Sequence, residues 1–188
     1  MDAKSRPSFA LLLCALAAGA LAAQDAPSPS RREAAWLLAG PFPMGPLTGL
    51  EDGLDRDYLA PSGGSAGVEA NAAPLRVGPF GSKPWREAEG GATDSGVDFT
   101  AAFGQAANSV AYAYRDVYSP SPRTVSLRIR SDDGVKVWVN GELVLARHVR
   151  RALETDEDAV AVSLSAGKNR VLVKVSQVEG AWAFSLRL

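Results

Sequence analysis

The sequence predicts an all-β protein, a single antiparallel β-sandwich of jelly-roll type, on three observations. Apolar and polar residues alternate at period two through most of the second half of the chain. Turn residues punctuate that pattern roughly every ten residues, as they do in sandwiches and barrels. No stretch of the domain repeats its apolar residues at helical spacing. An up-and-down barrel is the weaker alternative.

In chain order, Lys4 and Arg6 come first and are followed by an apolar run from Phe9 through Cys14 to Leu21, the pattern of a secretory signal peptide. Its apolar core is about a dozen residues, short of the ~20 that cross a bilayer. Ala20-Leu21-Ala22 supplies small residues for cleavage after Ala22 or Ala23. A lipoprotein is disfavoured because Leu13, not a small residue, precedes Cys14. Residues 1–23 are therefore read as a signal peptide, and the mature chain as secreted or periplasmic. Residues 24–34 (QDAPSPSRREA) hold too little apolar surface to order themselves and read as a flexible leader.

The rest, residues 35–188, matches one domain. Cys14 is the only cysteine, so the mature chain has neither a disulfide nor a cysteine-based zinc site. The net charge of −1 becomes −2 once Asp2, Lys4 and Arg6 are removed, too balanced for a nucleic-acid binder. No second apolar stretch is long enough for a membrane span, so the mature form is expected to be soluble.

Within the domain, Trp36-Leu37-Leu38-Ala39 ahead of Gly40-Pro41 reads as a buried strand, with the C-terminal strand as its expected partner. Residues 42–108 are the least patterned, with short strands expected at Leu75-Arg76-Val77, Pro84-Trp85-Arg86 and Val97-Asp98-Phe99. Gly63-Gly64-Ser65-Ala66-Gly67 is read as irregular. From Val110 the alternation is plain: Val110 to Tyr118, Val125 to Ile129, Val135 to Val139, Val160 to Leu164, Val171 to Val175 and Trp182 to Leu186 each read as a strand. Asn140-Gly141 is the strongest turn signal, since both residues tolerate the positive φ of a type I′ hairpin. Gly167-Lys168-Asn169 and Glu179-Gly180 read as further turns.

Ser131-Asp132-Asp133-Gly134-Val135-Lys136-Val137-Trp138-Val139-Asn140-Gly141, followed by Leu164-Ser165-Ala166-Gly167-Lys168-Asn169-Arg170-Val171-Leu172-Val173-Lys174-Val175, resembles PA14-like and galactose-binding-like β-sandwich accessory domains of bacterial secreted proteins. The resemblance is clear over residues 109–188 and thin over 42–108. It implies a non-catalytic carbohydrate-binding module, or a structural or protein-interaction module of an extracellular or periplasmic assembly. It also implies that Asp132 and Asp133 hold Ca²⁺, as paired aspartates do in PA14-type lectins. Two carboxylates on one turn are hard ligands suited to that ion. The bland reading is that both brace the turn backbone before Gly134.

Catalysis finds little in the chain: no nucleophile elbow, phosphate-cradling loop or His-x-x-x-His pair is present. His148 reads as a loop residue, and a small glycan-active hydrolase is the last alternative, since sequence alone does not exclude a carboxylate pair. For ligand contact, Trp85 and Trp138 are the aromatic candidates, because sugar rings stack on indoles by their apolar faces. Trp138 is out of phase with Val135, Val137 and Val139 and so belongs on the opposite sheet face. Arg147, Arg150 and Arg151 are candidates for an acidic glycan, because guanidinium groups bind carboxylate and sulfate bidentately. The plain alternative is that they are neutralised by the acidic run at residues 154–158. Trp36 and Trp182 read as core.

Overall fold

The computed structural model of the chain describes residues 35–44, 50–68, 75–76, 82–88, 92–93, 96–153 and 157–188; the signal peptide and leader read from residues 1–34 lie outside them. The strands are β1 (Leu37–Pro43), β2 (Leu75–Arg76), β3 (Ser82–Lys83), β4 (Arg86–Glu87), β5 (Ala92–Thr93), β6 (Gly96–Asp98) and β7 (Ser109–Ser119). They continue with β8 (Arg123–Asp132), β9 (Val135–Val139), β10 (Glu142–Arg147), β11 (Asp158–Leu164), β12 (Gly167–Gln177) and β13 (Ala183–Arg187). Three short helices, α1 (Leu50–Asp55), α2 (Gly64–Gly67) and α3 (Phe99–Phe103), and a 3-10 turn at Ala60–Ser62 complete the chain. No helix among the described residues is long and apolar enough to cross a membrane.

Two antiparallel sheets pack face to face, as the alternation predicts. One runs β10-β9-β12-β7-β1-β4 and the other β11-β8-β13-β6-β5. From β7 onward each connection crosses between the sheets except β9 to β10, which turns back as a hairpin. That hairpin sits on Asn140 (φ 52°) and Gly141 (φ 89°), the two positive angles its turn requires. Between the sheets lie the inward residues of every long strand, among them Ala111, Leu127, Val137, Val173 and Phe184. Trp36 and Trp182 are core as expected, 2% and 1% exposed.

Three local expectations are corrected. First, β1 pairs with β7 and β4, not with the C-terminal strand. Trp36 meets the C-terminal strand through packing instead, its ring edge-on to Phe184 at 5.1 Å across the sandwich. Close approach also shapes β1, where a Cβ on Gly40 would lie 2.9 Å from that of Ala111. Second, Gly167-Lys168-Asn169 is not a turn but the start of β12, paired with the end of β7. The chain reverses just before it, where Asn169 Oδ1 accepts the Ser165 N–H and its Nδ2 donates to the Ser165 and Gly167 carbonyls. Third, residues 64–67 form a helical turn, because the Asp57 carboxylate accepts the Ser65 N–H at 2.8 Å and its hydroxyl at 2.9 Å.

A second core explains why residues 50–68 are ordered. Leu59, Tyr58, Val68, Phe42 and Met44 pack against Ala39, Val110, Tyr112 and Leu172 on the outer face of the six-stranded sheet. Strands β7 and β12 are thus buried on both faces, where a one-sided sheet would leave one face wet.

Candidate functional site

The outer face of the six-stranded sheet has a covered end and an open end. At the covered end, Lys136, Lys174, Tyr112 and Ala39 stand side by side on β9, β12, β7 and β1. Lys174 is 1% exposed. Its ammonium donates to the carbonyls of Gly53 (2.9 Å), Leu54 (2.7 Å) and Arg56 (2.6 Å) at the end of α1. These are carbonyls that a helix C-terminus leaves without internal donors. The faces of Tyr58 and Tyr112 lie 5.1 and 5.4 Å from the ammonium. Burial pushes the Lys174 pKa down to about 7, helped by the Lys136 charge and opposed by Asp57 and Asp55.

Beside it, Asp55 takes hydrogen bonds from Lys136 and lies 3.0 Å from His148 Nε2. The bond from Lys136 holds the Asp55 carboxyl below its ordinary value, against partial desolvation. Burial raises the Tyr112 hydroxyl, which accepts the Tyr58 N–H. This end is a fastener for the cap formed by residues 50–68. The sequence does not reveal this cluster: His148 reads there as a loop residue, and nothing singles out Lys174.

One register step away, the open end carries a row that runs across five strands. Leu143 faces Trp138, Trp138 faces Leu172, Leu172 faces Tyr114 and Tyr114 faces Leu37. Trp85, just before β4, lies with its ring 5.9 Å from that of Tyr114. Trp138 stands on this outer face as its phase predicts, half-buried between the inward Val137 and Val139. Trp85 is half-buried too, and its indole N–H has no partner among the described residues. Tyr114 and Leu172 form the floor between them, each 3% exposed. The structure therefore brings the two candidate tryptophans to one face. Polar groups border the row: Asp116 accepts from the Tyr114 hydroxyl at 2.8 Å and pairs with Lys168 at 3.2 Å.

Asp132 and Asp133 lie elsewhere, at the end of β8. The Asp133 carboxylate takes the backbone N–H of Arg151 on one oxygen (3.2 Å) and that of Val178 on the other (2.9 Å). It braces two other loops rather than its own turn. Burial, and then the charge of Asp133, raise the Asp132 pKa, with a Leu153 N–H acting the other way. A calcium ion takes six to eight oxygens, and no third His, Cys, Asp or Glu joins the pair among the described residues.

Of the candidate arginines, Arg151 is drawn inward, while Arg147 and Arg150 stay about half exposed. Arg147 and Arg151 both bind the Asp158 carboxylate, each at 2.7 Å. Burial works against ionisation of Asp158, but Arg151 and Arg147 outweigh it and hold its carboxyl below the usual range. Arg151 also donates to the Ser131 carbonyl and hydroxyl, leaving 8% of its side chain exposed. Arg150 lies 3.6 Å from Glu179. The acidic partner expected for this basic run is thus found in Asp158.

At the edge of the sandwich, a cavity of about 260 Å³ is bordered by Leu38, Arg86, Glu87 and Ala102. Arg86 closes it, lying 4.3 Å over the Phe103 ring and donating to the Ala102 carbonyl.

No model of a known protein family matches the chain, and no curated protein matches it. Among solved structures, an anti-sigma factor domain-containing protein is similar at 22% identity and a TM-score of 0.36. The similarity covers 43% of this chain and 28% of that one.

Proposed function

We propose that the protein is an exported, non-catalytic binding module whose ligand is a carbohydrate held on the open end of the six-stranded sheet. The observation that carries this reading is the cross-strand row from Leu143 to Leu37, with Trp138 and Trp85 at its two sides. Adjacent strands are ~4.8 Å apart, so Trp138 and Tyr114 stand roughly 10 Å from each other. Tyr114 is buried floor, and the half-buried Trp85, its ring 5.9 Å from that of Tyr114, presents the second aromatic side. Aromatic faces at such intervals suit successive rings of an extended sugar chain, which stack by their apolar sides. The polar border of Asp116, Lys168 and Arg170 supplies groups for sugar hydroxyls. A preformed sheet lowers the ordering cost of binding. This mode of binding needs no metal ion.

Binding to immobilised neutral oligosaccharides tests the reading. Trp138→Ala and Trp85→Ala should each weaken binding by roughly tenfold, the loss of one stacked aromatic, while the fold persists by circular dichroism. Failure of the wild-type protein to retain any glycan would overturn it.

A second reading, a docking module for another protein, is favoured by Leu143 and Tyr118. Leu143, at the end of that row, is 48% exposed, and Tyr118, farther along β7, is 50% exposed. Co-purification in which Leu143→Asp loses a defined protein partner, with glycan binding absent, would select it.

A further inference from the structure

The opposite face of the sandwich, the outer face of the five-stranded sheet, is built differently. Its side chains are small or hydroxylated, with Thr124, Ser126, Ala159, Ala161 and Ser163 all exposed. Three arginines rise from this low floor. Arg128 and Arg130 leave β8 two residues apart, roughly 7 Å along one face. Arg187 of β13 stands directly opposite Arg128. Like charges placed opposite each other destabilise a sheet unless a counter-charge intervenes.

Here the counter-charge is one carboxylate. Glu157 sets Oε2 3.3 Å from Arg128 and Oε1 against Arg187, while both arginine side chains stay more than half exposed, 55% and 61%. The bond from Arg187 holds its carboxyl below the ordinary value, against slight desolvation and with help from Arg128. Arg130 is exposed and has no carboxylate partner among the described residues. Among the described residues the other acids of this face are engaged: Asp98 caps α3 through the Ala101 N–H, and Asp132 is buried at 9% exposure. Among the described residues the face therefore carries two guanidiniums sharing one carboxylate and a third with none.

We propose that this face docks a carboxylate-bearing polysaccharide, a polyuronate, whose carboxylates replace Glu157 between Arg128 and Arg187 and engage Arg130. Glu157 already shows that the geometry accepts a carboxylate with one oxygen on each guanidinium. The exposed hydroxyls of Thr124, Ser126 and Ser163 offer partners to the hydroxyls of a sugar chain, which an acidic peptide such as poly-glutamate lacks. Positive charge on this one face is too small for nucleic acid, whose binding scales with the number of phosphates neutralised. The site is independent of the aromatic row, and variants of one face leave the other intact.

Isothermal titration of a Trp85→Ala/Trp138→Ala variant, in which the aromatic row is disabled, with oligogalacturonate tests the proposal, with the fully methyl-esterified oligomer and poly-glutamate as controls. The expected result is binding of the free acid alone, weakened by added salt. Adding Arg128→Ala/Arg130→Ala/Arg187→Ala to that variant should weaken binding at least about tenfold. Glu157→Gln removes the competing carboxylate and should tighten binding by about threefold, an effect that a purely structural ion pair would not give. The proposal is overturned if the variant without the aromatic row binds no oligogalacturonate, if it binds the esterified oligomer or poly-glutamate equally well, or if Glu157→Gln and the arginine substitutions leave its affinity unchanged.

Discussion

Lys174 is the residue on which the cap turns. A lysine is seldom fully buried, and this one satisfies three carbonyls that would otherwise lie without donors. Lys174→Met keeps the length and strips the donors, so it should cost about 3 kcal/mol in urea unfolding. The residue also sets a pH dependence. In the unfolded chain a lysine keeps its proton to roughly pH 10.4, whereas burial brings the folded value to about 7. Between those values the unfolded state binds more protons, so stability should rise as pH increases from about 7 towards 10. Below about 7 both states are protonated and this contribution is flat. Denaturation midpoints across that range should climb in the wild type and stay level in Lys174→Met. Nothing local in the alternation around Val173 and Val175 distinguishes Lys174 from a solvated strand lysine. Its partners lie up to 121 residues away in sequence.

At the scale of elements, the turn after β8 is a junction rather than a simple reversal. Asp133 ties together the crossover from β10 to β11 and the turn after β12, through the Arg151 and Val178 N–H groups. Asp133→Asn removes one acceptor from that pair and should cost about 1–3 kcal/mol, read as a lower melting temperature. Asp132→Asn should do the opposite near neutral pH, because a neutral side chain relieves the burial and like-charge repulsion that raise its pKa. The same melts made with calcium test the ion expectation, which requires a midpoint that rises with calcium in the wild type and not in Asp132→Asn. The sequence marked this turn as special but not its use, since the partners of Asp133 are backbone groups of distant loops. The Asn140-Gly141 hairpin was legible in full, because its requirement for positive φ is met by its own two residues.

For the whole molecule, the sandwich presents two unlike surfaces on opposite sides of a core whose sheets lie about 10 Å apart. Calorimetry with a neutral oligosaccharide and oligogalacturonate together should show additive binding, each affinity unchanged by the other ligand, since no residue is shared between the aromatic row and the arginine face. The sequence by itself determined the strands from β7 onward, the sandwich they form, the core placement of Trp36 and Trp182, and the face on which Trp138 stands. Each of these follows from the period-two pleat and from turn residues that act over a few positions. Only the tertiary structure decided that residues 50–68 cap one sheet, that Trp85 joins Trp138 on one face, and that Asp158 takes up Arg147 and Arg151. It also decided that Arg128, Arg130 and Arg187 gather on one sheet face. Those outcomes depend on which strands become neighbours and which acids reach which bases across the chain, and long-range pairing of this kind leaves no periodic mark in the residues that make it.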